Sequence, residues 1–377
     1  MAPLDRELLR KLAGWETHGL PVTSLYLDVD GRRWPRRGEY IRRAEDLLRQ
    51  ACDEARLRDR DEHRSVCGDV DRMGSFVRDE FERKGPVRGL AMFSCSRAGL
   101  WERTRVTQPV RDRVVVGPRP HLLPLEAILE LAETFCVALV DRERARIFVA
   151  SLGEIEEVSD LLDDVPGRHD QGGWAQARLQ RHIEDHVQRH LKHTAETLLR
   201  LYQRRRFDHL VLAGPDEAVS ELERELHDYV RRTILGRASL AVAAPADEVL
   251  AAVVDLERDL EARREREAVD RLISEMAGGT GRAVAGLDDT LLALEGGRVE
   301  VLVVAAGLDA SGVRCSRCGH LASGGERCAV CGGPVTPVPD LVEETVELAL
   351  RQRCRVETVA DDEPLRGLGG IGALLRF

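Results

Sequence analysis

The sequence predicts a multidomain protein of mixed α/β and α+β class that carries a small metal-binding module in its last third. Three observations predict it. A chain of 377 residues is about two to three folding units, each able to bury its own core. Apolar strands alternate with helices from the middle of the chain onward, which implies layered, partly parallel sheets. Two CxxC pairs, Cys315/Cys318 and Cys328/Cys331, stand nine residues apart, the spacing of two metal knuckles.

Residues 1–130 predict an α+β domain, with a strand from Val22 to Val29, a charged helix from about Glu39 to Leu57 and short strands from Val87 to Val116. Gly117, Pro118, Pro120 and Pro124 then punctuate the chain, and the first boundary falls near residue 130. Residues 131–267 read as strands Cys136 to Val140 and Arg146 to Ala150, a third acidic strand, a polar loop from Asp163 to Ala175, and a long helix. On that helix Leu179, Ile183, Val187, Leu191, Ala195 and Leu198 recur at steps of three and four and form one apolar stripe. Next come a strand His209 to Ala213, a helix opening at Pro215, a strand Ser239 to Ala243 and a charged helix from about Ala246 to Ala277. Residues 268–377 add a helix before Glu295, the strand Val299 to Ala305, the cysteine-rich insertion, a helix Leu341 to Gln352 and a strand Arg355 to Val359.

Composition narrows the function classes. With 66 acidic and 56 basic residues the net charge is −10, so the chain as a whole is no generic polyanion or DNA binder and any RNA contact must come from local basic surfaces. An aromatic share of 4% argues against a sheet of stacked aromatics for single-stranded RNA. No run approaches the ~20 apolar residues that span a bilayer, and Met1 to Arg10 lacks the apolar core of a secretory signal. A cytoplasmic protein is expected, with Cys52, Cys67, Cys95, Cys136 and Cys354 scattered singly and the paired cysteines serving metal and not disulfides.

In the knuckles, four thiolates suit a closed tetrahedral site, so Cys315, Cys318, Cys328 and Cys331 are expected to bind structural Zn²⁺ in a ribbon over residues 313–333. Gly319, Gly332 and Gly333 follow the pairs where tight turns need them. Two other motifs fail. Gly367, Gly369 and Gly372 spell GxGxxG, but five residues remain after Gly372, too few for a phosphate-binding helix. His182 to His186 has Ile183 where a zinc protease needs glutamate. His182, His186 and His190 lie four apart and read as a polar flank of the apolar stripe rather than ligands.

The loop before the long helix contains Gly172, Gly173, Trp174 and Gln176. Adjacent glycines give a thin backbone able to enter a channel and present N–H groups to a reacting ester, and Gln176 can orient a water without acting as a base. On spacing alone, an ordinary surface loop with a helix cap reads equally well. Behind it Arg178, Arg181, Arg189, Lys192, Arg200, Arg204, Arg205 and Arg206 form a basic stripe suited to a phosphate backbone.

Several stretches together resemble one family, the archaeal and eukaryotic class-1 peptide release factors and their Pelota-like relatives, and among these a bacterial member. They are the ending GLGGIGALLRF from Gly367 to Phe377, DTLLALEGGRVEVLVV from Asp289 to Val304, LVLAGP from Leu210 to Pro215, and Gly172-Gly173 ahead of the basic helix. The resemblance covers roughly residues 132 to 377. It implies a release-factor-type middle domain and an L7Ae-like C-terminal domain with an inserted zinc ribbon. It implies the ribosome as partner, through rRNA and peptidyl-tRNA, and a translational GTPase beside it, with no membrane and no DNA. In the family a Gly-Gly-Gln tip positions water against the peptidyl-tRNA ester. Here Trp174 follows the glycine pair, and Gln176 comes two residues later. The resemblance thus assigns Gly172, Gly173 and Gln176 to ester hydrolysis and Trp174, Arg178, Arg181 and Arg189 to RNA. No Asn-Ile-Lys-Ser loop and no Tyr-x-Cys-x-x-x-Phe element occurs in the first third, so stop-codon decoding is not expected, and Arg32, Arg33, Arg36, Arg37, Arg42 and Arg43 would at most contact rRNA or tRNA without reading sequence. Two functions remain open: rescue of stalled ribosomes by peptidyl-tRNA hydrolysis, and hibernation as a non-catalytic A-site occupant.

Overall fold

Val22–Asp28 is buried along its whole length, which requires neighbours on both edges and a cover on both faces. The computed structural model supplies them. It describes residues 1, 4–16, 19–162, 174–359 and 363–377, with only the backbone at residues 160–162 and 174–183. Two compact units result, one formed by Met1–Glu82, Gly89–Glu130 and Arg258–Phe377, the other by Arg83–Arg88 and Leu131–Glu257.

In the first unit, helix α1 (Arg6–Ala13) is capped by Asp5, whose side chain accepts from the Leu8 N–H. Strand β1 (Val22–Asp28) is followed by α2 (Arg37–Glu54), α3 (Arg60–Ser75), β2 (Gly89–Cys95), β3 (Leu100–Val106), β4 (Arg113–Gly117) and α4 (Leu123–Leu131). The sheet order is β3-β2-β1-β4, antiparallel throughout. Helix α3 has no counterpart in the sequence reading because its buried face is half polar: Ser65 and Asp69 are buried beside Val66 and Met73. Asp69 accepts from Thr23 Oγ1 (2.9 Å), Ser94 Oγ (2.8 Å) and the Ser96 N–H (2.6 Å), which pins α3 to β1 and β2. Burial pushes its carboxyl above the usual range, and these hydrogen bonds pull it back.

The expectation that Cys52 and Cys67 stand alone is corrected here. They are disulfide-bonded, with Cα atoms 5.2 Å apart. The pairing depends on α2 packing against α3, a contact that sequence spacing does not reveal.

The second unit is built on β5 (Phe135–Val140), β6 (Arg144–Ser151), β7 (Glu154–Leu162), α5 (Trp174–Arg204), β8 (His209–Ala213), α6 (Asp216–Glu225), α7 (Asp228–Arg231) and β9 (Ile234–Ala238), with α8 (Ala246–Gly278) leading back to the first unit. The sheet order is β7-β6-β5-β8-β9, parallel at β5/β8 and β8/β9 and antiparallel elsewhere. Gly214 ends β8 at φ +134°, where a Cβ would stand 1.9 Å from the Val140 carbonyl oxygen, so only glycine fits. The strand expected at Ser239 to Ala243 lies five residues earlier, at β9. Residues 239–243 instead form a loop, and the carbonyls of Val242 and Ala244 accept from Arg146 Nη1 at 3.1 and 2.7 Å. A guanidinium takes the acceptors that a sheet neighbour would have used.

The remainder of the first unit comprises β10 (Ala283–Ala285), α9 (Leu287–Glu295), β11 (Val299–Ala305), β12 (Gly312–Cys315), β13 (Leu321–Ala322), β14 (Val335–Val338), α10 (Leu341–Arg351), β15 (Arg355–Val359), α11 (Glu363–Gly367) and β16 (Ile371–Leu375). Strands β10-β16-β11-β15 form one sheet. Ala268, Val269 and Leu272 of α8 and Leu365 of α11 cover one face, and Ala293, Leu294, Val342, Val346 and Ala349 of α9 and α10 cover the other. The terminal glycines serve this packing: a Cβ on Gly372 would meet the Val284 carbonyl oxygen at 2.8 Å and Leu272 Cδ2 at 2.9 Å. Strands β13-β12-β14 form the separate small sheet that carries the cysteines.

Within this unit an ionic knot ties β4 and its flanks to α10. Arg113 contacts Glu343 at 3.2 Å and also Glu347, and Arg111 contacts Glu343 at 3.2 Å and the Leu308 carbonyl oxygen. Glu343 and Glu347 are only 8% and 4% exposed, so each relies on these guanidinium groups. Arg113→Ala is expected to cost about 1–3 kcal/mol, because two buried carboxylates each lose one hydrogen-bonded cation while Glu343 keeps Arg111 and Glu347 keeps Arg351. Urea titration checks it, and Glu347→Gln in the same chain should recover part of the loss.

Candidate functional site

Helix α5 is 31 residues long, about 46 Å at ~1.5 Å per residue. Val187, Leu191, Ala195 and Leu198 are buried against Cys136, Ala138 and Ala145 of the sheet and against Ala218 and Leu222 of α6. His190 and Thr194 are buried on the same side, so His190 belongs to the packed face and not to a polar flank. The opposite face exposes Arg189, Lys192 and Arg200, with Glu184, Asp185 and Glu196 among them. Beyond the helix Arg205 pairs with Glu156 at 2.7 Å. Of the residues assigned from sequence, Arg189 is exposed as a phosphate contact requires. Trp174, Gln176, Arg178 and Arg181 fall on the first turns of α5, where only the backbone is described, and Gly172 and Gly173 lie outside the described residues.

The four paired cysteines come together. Cys315 Sγ is 3.4 Å from Cys331 Sγ, Cys318 Sγ is 3.5 Å from Cys328 Sγ, and all four sulfurs lie within 4.8 Å of one another. A tetrahedral ion with bonds of about 2.3 Å separates its sulfurs by roughly 3.8 Å, so small side-chain adjustments suffice. Each knuckle is built alike: the Gly319 N–H donates to the Cys315 carbonyl and the Gly332 N–H to the Cys328 carbonyl, both at 2.9 Å. Gly319 and Gly332 take φ +78° and +67°, the left-handed turn that brings the second cysteine back beside the first. The Cys318 N–H aimed at Cys315 Sγ, helped by the Arg317 N–H, lowers the Cys315 thiol, whereas contacts with the neighbouring sulfurs raise Cys318. A Cβ on Gly333 would stand 3.2 Å from the sulfurs of both Cys315 and Cys331. His320 contacts Glu295 and is not among the grouped ligand atoms. The cluster therefore fits a soft cation with four protein ligands and no open position.

The arginines of the first third are mostly committed within the fold. Arg32 pairs with Asp30 at 2.8 Å and Arg33 with Asp28 at 3.2 Å. Arg37 donates to the carbonyls of Arg78 and Phe81, and Arg43 contacts Asp112 and stacks 3.7 Å over Trp34. These pairings neutralise part of the charge that the group would offer to RNA. Arg36 and Arg42 remain exposed.

Two family models cover the chain from residue 120 to its last residue. Residues 120–258 match the Bacterial archaeo-eukaryotic release factor family 10, and residues 262–377 match eRF1 domain 3. Residues 120–377 thus carry domains of the archaeo-eukaryotic release factor type. The chain is similar to the peptide chain release factor subunit 1 of Pyrococcus abyssi, at 24% identity over 98% of this chain and 96% of that protein. It is likewise similar to that of Methanocaldococcus jannaschii, at 26% identity over 99% and 97%. Aligned solved structures include an archaeal translation termination factor (19% identity, 98% and 96% of the two chains, TM-score 0.27) and the Pelota of Archaeoglobus fulgidus (17%, 79% and 82%, TM-score 0.38).

Proposed function

We propose that the protein is a ribosome-associated translation factor that rescues stalled ribosomes by promoting hydrolysis of the peptidyl-tRNA ester, without decoding a stop codon. The observation that carries this reading is the sequence match to release factors along 98–99% of the chain, together with a glycine pair that directly precedes α5. Three domains, 1–130, 131–267 and 268–377, would divide the work. The middle one brings Gly172 and Gly173 to the ester, where main-chain N–H groups stabilise the developing oxyanion. The side-chain oxygen of Gln176 orients the attacking water, whose proton passes to the departing ribose hydroxyl. Trp174, Arg178, Arg181 and Arg189 hold the surrounding RNA, rRNA and peptidyl-tRNA are the partners, and a translational GTPase delivers the factor in the cytoplasm. Stalled ribosomes carrying labelled peptidyl-tRNA test it: the protein should release peptide, and Gln176→Ala should lower the rate by about 10²-fold or more, as loss of a positioning group does. No release, or parent-like release by Gln176→Ala, would overturn the hydrolase role.

Trp174 favours a second reading, since an indole after the glycine pair can wedge or stack but cannot accept a proton from water. In that case the protein occupies the A site of idle ribosomes as a hibernation factor. Tight ribosome association without turnover is its signature.

The C-terminal domain is proposed to be L7Ae-like with a structural zinc ribbon, Zn²⁺ being held by Cys315, Cys318, Cys328 and Cys331. The ion would fix the turns of the small sheet and take no part in ester chemistry. Cys328→Ser should lose one zinc per chain and admit protease to residues 313–333, read by metal analysis and limited digestion.

Because the chain is net acidic, affinity for ribosomes should rest on few cations. Removing Arg178 and Arg181 should reduce the slope of log affinity against log salt by roughly 0.7 to 0.9 for each contact. Arg263 and Arg266, exposed on α8, should do little when replaced. Equal losses from both pairs would point to diffuse charge.

A further inference from the structure

Away from the CxxC cluster, the structure brings a second set of soft ligands together. Cys52 lies in the last turn of α2, and His63 and Cys67 stand four apart on α3, so the latter two share one helix face. The sulfurs of Cys52 and Cys67 and a ring nitrogen of His63 all lie within 4.8 Å of one another, with Cys67 Sγ 3.4 Å from His63 Nε2. All three residues are half-buried, within reach of solvent. Cys95, Cys136 and Cys354, by contrast, are at most 2% exposed.

We propose that Cys52, His63 and Cys67 form a redox-gated site, which holds a soft divalent cation of the zinc type when the thiols are reduced and closes as the Cys52–Cys67 disulfide when they are oxidised. A tetrahedral zinc with Zn–S of about 2.3 Å and Zn–N of about 2.05 Å sets sulfur and nitrogen roughly 3.6 Å apart, close to the 3.4 Å between Cys67 Sγ and His63 Nε2. The two sulfurs must separate to roughly 3.8 Å, by rotation about their Cα–Cβ bonds.

The backbones that carry the ligands are held independently of the sulfur bond. Helix α3 is pinned by the hydrogen bonds of Asp69 two residues beyond Cys67, and α2 by buried Tyr40, Ala44, Leu48 and Ala51. Reduction therefore leaves the three ligands near one another, and water completes the fourth position. In the reduced form the cation displaces two thiol protons. A peroxide returns the site to the disulfide: two zinc-bound thiolates give up two electrons, one S–S bond forms, the O–O bond breaks, and with two protons two waters and free Zn²⁺ leave.

The experiment counts Zn²⁺ on the full-length protein after removal of excess metal, so that the difference between samples decides and the CxxC cluster cancels. Reduced protein should hold one more zinc than reduced Cys52→Ser or Cys67→Ser, and that excess should vanish when parent and variants are treated alike with hydrogen peroxide. Peptide mapping of the peroxide-treated sample should recover the Cys52–Cys67 linkage. His63→Ala, which keeps both cysteines, should weaken the second zinc at least tenfold while forming the disulfide normally, so misfolding of a cysteine variant cannot imitate the result. Equal zinc content in the reduced parent and both serine variants would overturn the site. Retention of the extra zinc after peroxide would overturn the gating.

Discussion

The apolar stripe of α5 has only one place to go. Val187, Leu191, Ala195 and Leu198 fill the space between the sheet and α6, and that single burial fixes which residues of a 31-residue helix meet solvent. Withdrawing four such side chains from water is worth several kcal/mol, more than any surface ion pair on the opposite face can offset. The orientation of Arg189, Lys192 and Arg200 is thus a consequence of packing beneath them.

Clusters of soft side chains are organised on two different length scales. In the CxxC cluster each knuckle is local: a cysteine carbonyl, a glycine N–H four residues on and a left-handed glycine define the turn, and the small sheet brings the two turns together. The set of Cys52, His63 and Cys67 is joined by helix packing across 15 residues of separation. In the ionic knot of Arg111 and Arg113 with Glu343 and Glu347, the partners are more than 200 residues apart in sequence. The longer the separation, the more the arrangement depends on cores elsewhere being formed first.

Elements whose burial is carried by apolar residues were legible. His209–Ala213, Val299–Ala305 and Arg355–Val359 are strands with the limits that their apolar runs suggest. Helix α3 was not legible, since Ser65 and Asp69 occupy buried positions and interrupt the apolar period. The run Ser239 to Ala243 looked like a strand for its composition, yet Arg146 claims its carbonyls. Of the candidate site, the cysteines could be read from spacing, whereas the roles of Arg32, Arg33 and Arg43 could not. A sequence shows that an arginine is charged but not whether an aspartate waits beside it.

The sequence by itself determined the CxxC pairing of the cysteines and the amphipathic course of α5. Both rest on contacts within a turn or two of chain. Only the tertiary structure decided that Cys52 meets Cys67, that Asp69 binds two strands to one helix, and that Arg32, Arg33 and Arg43 meet Asp30, Asp28 and Asp112. Those outcomes follow from which faces pack together, and packing is selected by the burial of whole elements rather than by the identity of the residues that happen to meet.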